Sequence, residues 1–175
     1  QEDGILSIQD LPAFTEEETF LFIDQHGGKQ LSQDTKVFMY SETNGNALLL
    51  LQLISYLKTH GNKKVGHLDI NDEISFRTSG LSRDSLHILN LISLFPEDAP
   101  YELISHVCGK TTQDILLACQ DLRQRMLITE NNNGGRIALA FVRPEYRDVI
   151  YKRLPLLDRQ VMHRAIAETI LQAQE

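Results

Sequence analysis

The stretch from Met126 to Phe141 limits most strongly what this chain can fold into. Two β-prone runs, Met126-Leu127-Ile128-Thr129 and Arg136-Ile137-Ala138-Leu139-Ala140-Phe141, flank Asn131-Asn132-Asn133-Gly134-Gly135. Asn and Gly tolerate positive φ, so a short Asn/Gly turn between such runs predicts a β-hairpin. The residues before it read as three helices. Ser82 caps the first, which runs through Phe95 to Pro96, with Leu86, Leu89 and Ile92 on one face and Ile88, Leu91 and Phe95 widening it. Pro100 opens a short second helix to Cys108, using Leu103, Ile104 and Val107. Thr111-Thr112 caps the third, Gln113 to Arg125, with Ile115, Leu116, Cys119 and Leu122 inward. Three helices followed by a hairpin is the order of a winged helix-turn-helix. After the hairpin, Pro144 sits where the first residue of a new helix belongs, with Tyr146, Val149, Ile150 and Leu154 as its buried stripe. A last helix spans Leu156 to about Leu171, with Val161, Ala165 and Ile166 inward.

The first third of the chain is organised differently. Ile5 to Ile8 alternates apolar and polar residues and suits a short strand remnant over residues 4–8. Thr15-Glu16-Glu17-Glu18 reads as a capping box, with acids placed at the positive helix end. Phe20, Phe22 and Ile23 give that helix its apolar side, His26 suits its C-terminal end, and Gly27-Gly28 stops it. A second helix is expected from Ser32 through Val37, Phe38 and Tyr40, broken at Asn44-Gly45-Asn46. The third carries Leu48, Leu49, Leu51, Leu53, Ile54 and Leu57 nearly all round, as a helix buried among neighbours does. The fold class expected is therefore mainly α: a three-helix bundle over residues 1–62, a polar linker over 63–80, and a winged-helix domain with one small β-hairpin and C-terminal helices over 81–175.

Charge narrows the partners. Residues 1–62 carry 3 Lys+Arg against 9 Asp+Glu, a net of −6; residues 63–142 carry 8 against 10, a net of −2; residues 143–175 carry 6 against 5, a net of +1. Displacing counterions from nucleic acid needs a basic surface, which only the last segment offers and weakly. The third helix of the winged-helix portion would expose Asp114, Asp121, Arg123 and Arg125, which nearly cancel, although Gln113, Gln120 and Gln124 keep base-edge reading open. Direct DNA contact is accordingly not the expectation. No apolar run approaches the roughly 20 residues a membrane helix needs, and the first residues show no basic stretch followed by an apolar one, so no signal peptide is expected in them. Cys108 and Cys119 are expected as reduced core thiols in a reducing, cytoplasmic setting. His87, His106 and His163 are scattered singly, so neither a metal site nor a catalytic grouping is expected. A start at Gln1-Glu2-Asp3, without Met, fits a piece of a longer protein.

Four stretches occur in an order that resembles the downstream half of the nucleotide-binding core in STAND (AAA+-type) signalling ATPases. They are Leu11-Pro12-Ala13-Phe14-Thr15-Glu16-Glu17-Glu18, Asn44-Gly45-Asn46-Ala47-Leu48-Leu49-Leu50, Phe141 to Leu154, and His163-Arg164-Ala165-Ile166-Ala167-Glu168. The similarity is greatest to large bacterial transcriptional regulators of the LuxR/MalT and SARP kinds. It implies that the first unit is a helical lid over a nucleotide and that the Asn44-Gly45-Asn46 turn packs near adenine. It also implies that a residue of the winged-helix domain faces the ADP phosphates and holds the inactive state. Ala47 stands where the family has proline, and Arg143 where it has histidine. The partners implied are an upstream nucleotide-binding domain of the same chain, which would bring ADP or ATP, and a downstream sensor or repeat domain. The segment itself has no G-x-x-x-x-G-K-(S/T) phosphate loop, so no cofactor and no catalytic residue are expected within it.

The residues alone leave two readings of each candidate. Arg143 with Arg147 forms either an anion site beside a helix N-terminus or a pair of surface arginines balanced by Glu145 and Asp148. Asn44, Gly45, Asn46 and Ala47 form either the adenine-side turn or a plain helix–helix turn with a cap.

Overall fold

The computed structural model describes residues 12–26, 31–60 and 69–172. The expected strand remnant at 4–8, the Gly27-Gly28 stop and the first part of the 63–80 linker lie outside them. The chain divides into two compact units, Gln1–Gly66 and His67–Glu175. The described residues are mainly helical, with one small antiparallel sheet. Among them no helix is long and apolar enough to cross a membrane.

In the first unit, α1 (Glu16–His26), α2 (Gln33–Thr43) and α3 (Ala47–His60) pack on one another. The capping box at Thr15 forms as the sequence predicts. The Thr15 amide donates to Glu18 Oε2 at 2.9 Å, and the Glu18 amide donates to Thr15 Oγ1 at 3.3 Å. Ser32 caps α2, accepting from the Thr35 amide. Ile23, Met39, Leu49, Leu50, Leu53, Ile54 and Leu57 are buried between the helices. One expectation fails in part: α3 is not enclosed all round, because Leu51 is 45 % exposed.

The first described element of the second unit is a helix, where the composition of residues 63–80 predicts a linker. Asp69 accepts from the amides of Asn71 and Asp72, an N-cap that starts α4 (Ile70–Thr78). α4 packs against α8 (Pro144–Arg153), and Ile74 and Phe76 are fully buried. The residues from 69 onward are therefore part of a domain and not a connection. α5 (Arg83–Ser93) follows from its Ser82 cap, then α6 (Tyr101–Cys108) and α7 (Thr112–Gln124) from its Thr111 cap. α7 ends with Met126 at φ 53, where the Met126 amide donates to Arg123 O and the Leu127 amide to Leu122 O. That is the hydrogen-bond pattern of a left-handed C-terminal cap, here without glycine.

The expected hairpin is present as β2 (Ile128–Asn133) and β3 (Arg136–Phe141), paired from Ile128↔Phe141 to Asn133↔Arg136. Gly134 and Gly135, at φ 64 and 89, make the tight turn. The sheet nevertheless has a third strand. Ala99–Pro100, β1, pairs with β3 through Ala99↔Leu139 and Pro100↔Ala138, giving the order β1-β3-β2. Pro100 sits on an edge, where a missing N–H breaks no ladder. α8 and α9 (Leu156–Gln172) complete the unit.

Leu89, Leu91, Ile92, Ile104, Ile115, Leu122, Leu139, Tyr146 and Ile150 form the middle of its core. Two inward assignments are corrected: Leu116 is 55 % exposed and Val161 is 61 % exposed. The buried side of α7 is Ile115, Ala118, Cys119 and Leu122, which leaves Leu116 outside it. Cys108 and Cys119 are free thiols packed in this core, and burial pushes both pKa values up to about 11.

Candidate functional site

The sheet delivers the chain to the candidate site. β3 ends at Phe141, and the Val142 amide still donates to Leu127 O. Arg143 is then extended at φ −128 and ψ 128, and Pro144 starts α8 at its first position. A residue before proline is driven to extended backbone, so Pro144 fixes where the Arg143 side chain leaves the chain. Arg143 is the N-cap residue of α8 yet makes no side-chain cap bond.

Its guanidinium turns to α4. Arg143 Nη1 donates to Glu73 Oε2 at 2.8 Å and stacks 5.5 Å from the Tyr146 ring. Arg143 is 49 % exposed at the side chain, whereas Glu73 is 6 % exposed. The other Glu73 oxygen, Oε1, accepts from Arg77 Nη2 at 3.0 Å and from the Tyr146 hydroxyl. The Glu73 carboxylate raises the Arg143 pKa further above its ordinary value. Burial, and then donation to Glu73, push the Tyr146 phenol up as well.

Behind Glu73 the ionic chain continues. Arg77 Nη1 donates to Arg125 O at 3.1 Å, and Arg125 Nη1 donates back to Arg77 O at 3.2 Å and to Ser79 O at 2.7 Å. Arg125 Nε pairs with Asp121 Oδ1 at 2.6 Å, and Asp121 Oδ2 accepts from Ser85 Oγ at 3.0 Å. Glu73, Arg77 and Arg125 are all buried. Charged groups survive there because each is paired and its remaining donors meet carbonyls. Arg125 thus caps the C-terminal carbonyls of α4, where a cation suits the helix dipole. Arg125 and Asp121, expected as exposed charges, are therefore an internal pair, and Glu73 and Arg77 are site residues that the sequence does not single out. The only trace of them in the sequence is spacing: Glu73/Arg77 and Asp121/Arg125 are both i,i+4 pairs.

Arg147, the second predicted cation, has different neighbours. It approaches Asp148 at 3.5 Å, and its Nε is buried without a hydrogen-bond partner among the described residues. It lines a recess of roughly 340 Å³ together with Glu97, Asp98, Glu145 and Asp148. Four carboxylates share that recess with the Arg147 guanidinium and make its surroundings acidic.

In the first unit, the Asn44–Ala47 turn has a structural task of its own. Asn44 is left-handed at φ 47 and ends α2, its amide donating to Tyr40 O. Gly45 lies at φ 72 with its carbonyl accepting from the Phe14 amide at 2.9 Å, and a Cβ there would fall 2.0 Å from Phe14 O. Asn46 Oδ1 accepts from the Leu48 and Leu49 amides at 3.0 and 3.1 Å, which caps α3, and Ala47 is the first residue of that helix. Among the described residues no group of His, Cys, Asp and Glu is placed to hold a metal ion. No protein-family model matches the sequence, and comparison with curated proteins finds no match.

Proposed function

We propose that the chain is the regulatory portion of a nucleotide-switched bacterial transcriptional regulator of the STAND kind. In this reading the first unit is a helical lid and the second a winged helix. Both close on a nucleotide-binding domain lying upstream in the same polypeptide, and a sensor or repeat domain follows downstream. ADP would hold the closed, inactive arrangement and ATP would release it, a two-state rearrangement biased by differential contacts. The protein would work in the cytoplasm, and this segment would contribute no catalytic group. Any hydrolysis belongs to the domain that carries the phosphate loop.

The observation that carries the reading is the run from Phe141 to Tyr151: a strand end, a half-exposed guanidinium at the cap position, then a proline-started helix. A permanent cation whose planar fork can grip two oxygens is suited to a terminal phosphate. The element order α5-β1-α6-α7-β2-β3 and the sheet order β1-β3-β2 support a winged helix.

A winged-helix DNA reader is the rival. Against it, the outward surface of α7 offers Leu116 and Leu117 at 55 and 58 % exposure. Arg123 is spent on Glu130 at 2.8 Å, and Asp114 stands in the first turn. A major-groove helix presents Arg, Lys, Asn or Gln to base edges. Gln113, Gln120 and Gln124 are exposed as well, so it is the leucine pair and the spent Arg123 that favour a protein neighbour.

Arg143→Ala in the parent protein tests the reading. Losing a charge-assisted bond to phosphate weakens ADP binding about tenfold and raises basal transcription. Unchanged ADP affinity together with unchanged basal output would sink it. A gel shift by the 175-residue chain at low salt would favour the DNA reader instead.

A further inference from the structure

Glu73 holds three donors, and they are not equivalent. Arg77 is 4 % exposed, sits one turn along the same helix and is fixed by Arg125 O. Tyr146 is 1 % exposed. Arg143 alone is half in solvent, at the end of a long, rotatable side chain. A buried carboxylate must keep a compensating cation, and Arg77 supplies one whether or not Arg143 remains. Arg143 is therefore the partner that can leave without stranding a charge in the interior. A guanidinium fork, in turn, satisfies one planar or tetrahedral anion well at a time.

We propose that Glu73 is the resident counter-ion of Arg143 and competes with phosphate for it, so that Glu73 sets how tightly this unit grips a nucleoside diphosphate. The inference rests on the phosphate-facing reading of Arg143 given above. Glu145, whose carboxylate lies 3.7 Å from Arg143 Nε and is 62 % exposed, adds a weaker, solvent-screened share of the same competition. The exchange needs no unfolding. The reciprocal Arg77–Arg125 bonds and the Ser79 contact keep α4 in place when the Arg143 contact opens. Glu73 is a specificity-setting residue in this scheme and never touches the ligand, since it carries the same sign of charge. Its effect is to make a bare anion a poor ligand and to reserve Arg143 for a phosphate that other contacts also hold.

The test is a titration of the 175-residue chain with inorganic pyrophosphate, followed by the Nε–Hε resonance of Arg143. It compares the unmodified chain, Glu73→Gln, Glu73→Asp, and each of these with Arg143→Gln. Removing the competing charge in Glu73→Gln tightens pyrophosphate about fivefold, the worth of one partly exposed ion pair. Glu73→Asp keeps the buried negative charge beside Arg77 but withdraws it by one methylene. It shifts affinity the same way by less and stands in if Glu73→Gln does not fold. The Arg143→Gln chains lack that resonance, so their pyrophosphate binding is followed by calorimetry, and it is lost in every background. If Arg143 responds to pyrophosphate with one Kd in all three Glu73 backgrounds, the competition is refuted and the phosphate-facing reading survives. If Arg143 responds in none of them, the competition is refuted, because removing the Glu73 charge has not freed Arg143 for an anion; the phosphate-facing reading is then judged by ADP binding to Arg143→Ala in the parent protein.

Discussion

The two units are built on different economies of interaction. In the first, the polar bonds that define the helices are local: Thr15 with Glu18, Ser32 with Thr35, Asn46 with Leu48 and Leu49. Of its longer-range polar bonds, Lys58 Nζ to His26 O lies at the surface and Lys36 to Asp24 is half-buried at the edge of a largely apolar bundle. In the second, buried charges join residues distant in sequence. Glu73 reaches Arg143 and Tyr146, and Arg77 and Arg125 bond to each other's carbonyls across 48 positions. An apolar bundle tolerates small readjustments of its contacts. A buried ionic chain does not, because losing one member leaves another desolvated without compensation. The second unit should therefore be the more specific of the two in its geometry and the less forgiving of polar substitutions.

The largest expected effect follows from that contrast. Glu73→Ala removes the counter-charge of Arg77, which is 4 % exposed, and leaves the Tyr146 hydroxyl buried without its acceptor. A loss of about 3–5 kcal/mol is expected in the second unit, read by urea denaturation. Amide exchange in α1, α2 and α3 should stay as it is. Equal loosening of both units, or a cost below about 1 kcal/mol in the second, would break the comparison.

An effect of middle size belongs to the first unit. Gly45 has φ 72, and any Cβ there meets the Phe14 carbonyl at 2.0 Å, whereas Gly134 has φ 64 and open space around it. Alanine in the left-handed region costs roughly 1–2 kcal/mol by itself, and Gly134→Ala should cost no more than that. Gly45→Ala should cost more, since the Phe14–Gly45 backbone bond must also yield. Exchange rates in α1 to α3 separate the two variants. Similar costs for both would mean that the turn has slack the distances do not suggest.

How far the sequence could be read divides along the same line. Caps and turns are local chemistry, and so Thr15, Ser32, Ser82, Thr111, Pro144 and the Gly134-Gly135 turn stand where their residue types predict. α4 is not legible because Asn71-Asp72-Glu73 looks like solvated loop, and burial of its charges depends on partners 48 to 73 positions away. β1 was hidden for another reason: two residues have no periodicity, and Pro100 reads as a helix opener before it reads as an edge strand. Leu116 and Val161 were assigned inward because apolar spacing fixes which residues share a helix face but not how wide a stripe the neighbours cover. Of the candidate site, the strand-to-helix passage at Arg143 was legible. The carboxylate that engages it was not.

The smallest expected effect concerns those outward leucines and sharpens what α7 is for. Leu116 and Leu117 lie side by side on α7 at 55 and 58 % exposure, so they contribute little to the core of the second unit. Leu116→Gln together with Leu117→Gln should change stability by no more than about 0.5 kcal/mol, because the apolar area returned to water is small and glutamine is a good helix former. If α7 faces a protein neighbour in the parent, the same pair should alter regulation there while the isolated chain melts unchanged. A measurable loss in the isolated chain would instead show that the two side chains already pack within it. The outer surface of α7 would then be core, and its apolar character would no longer speak against a DNA-reading helix.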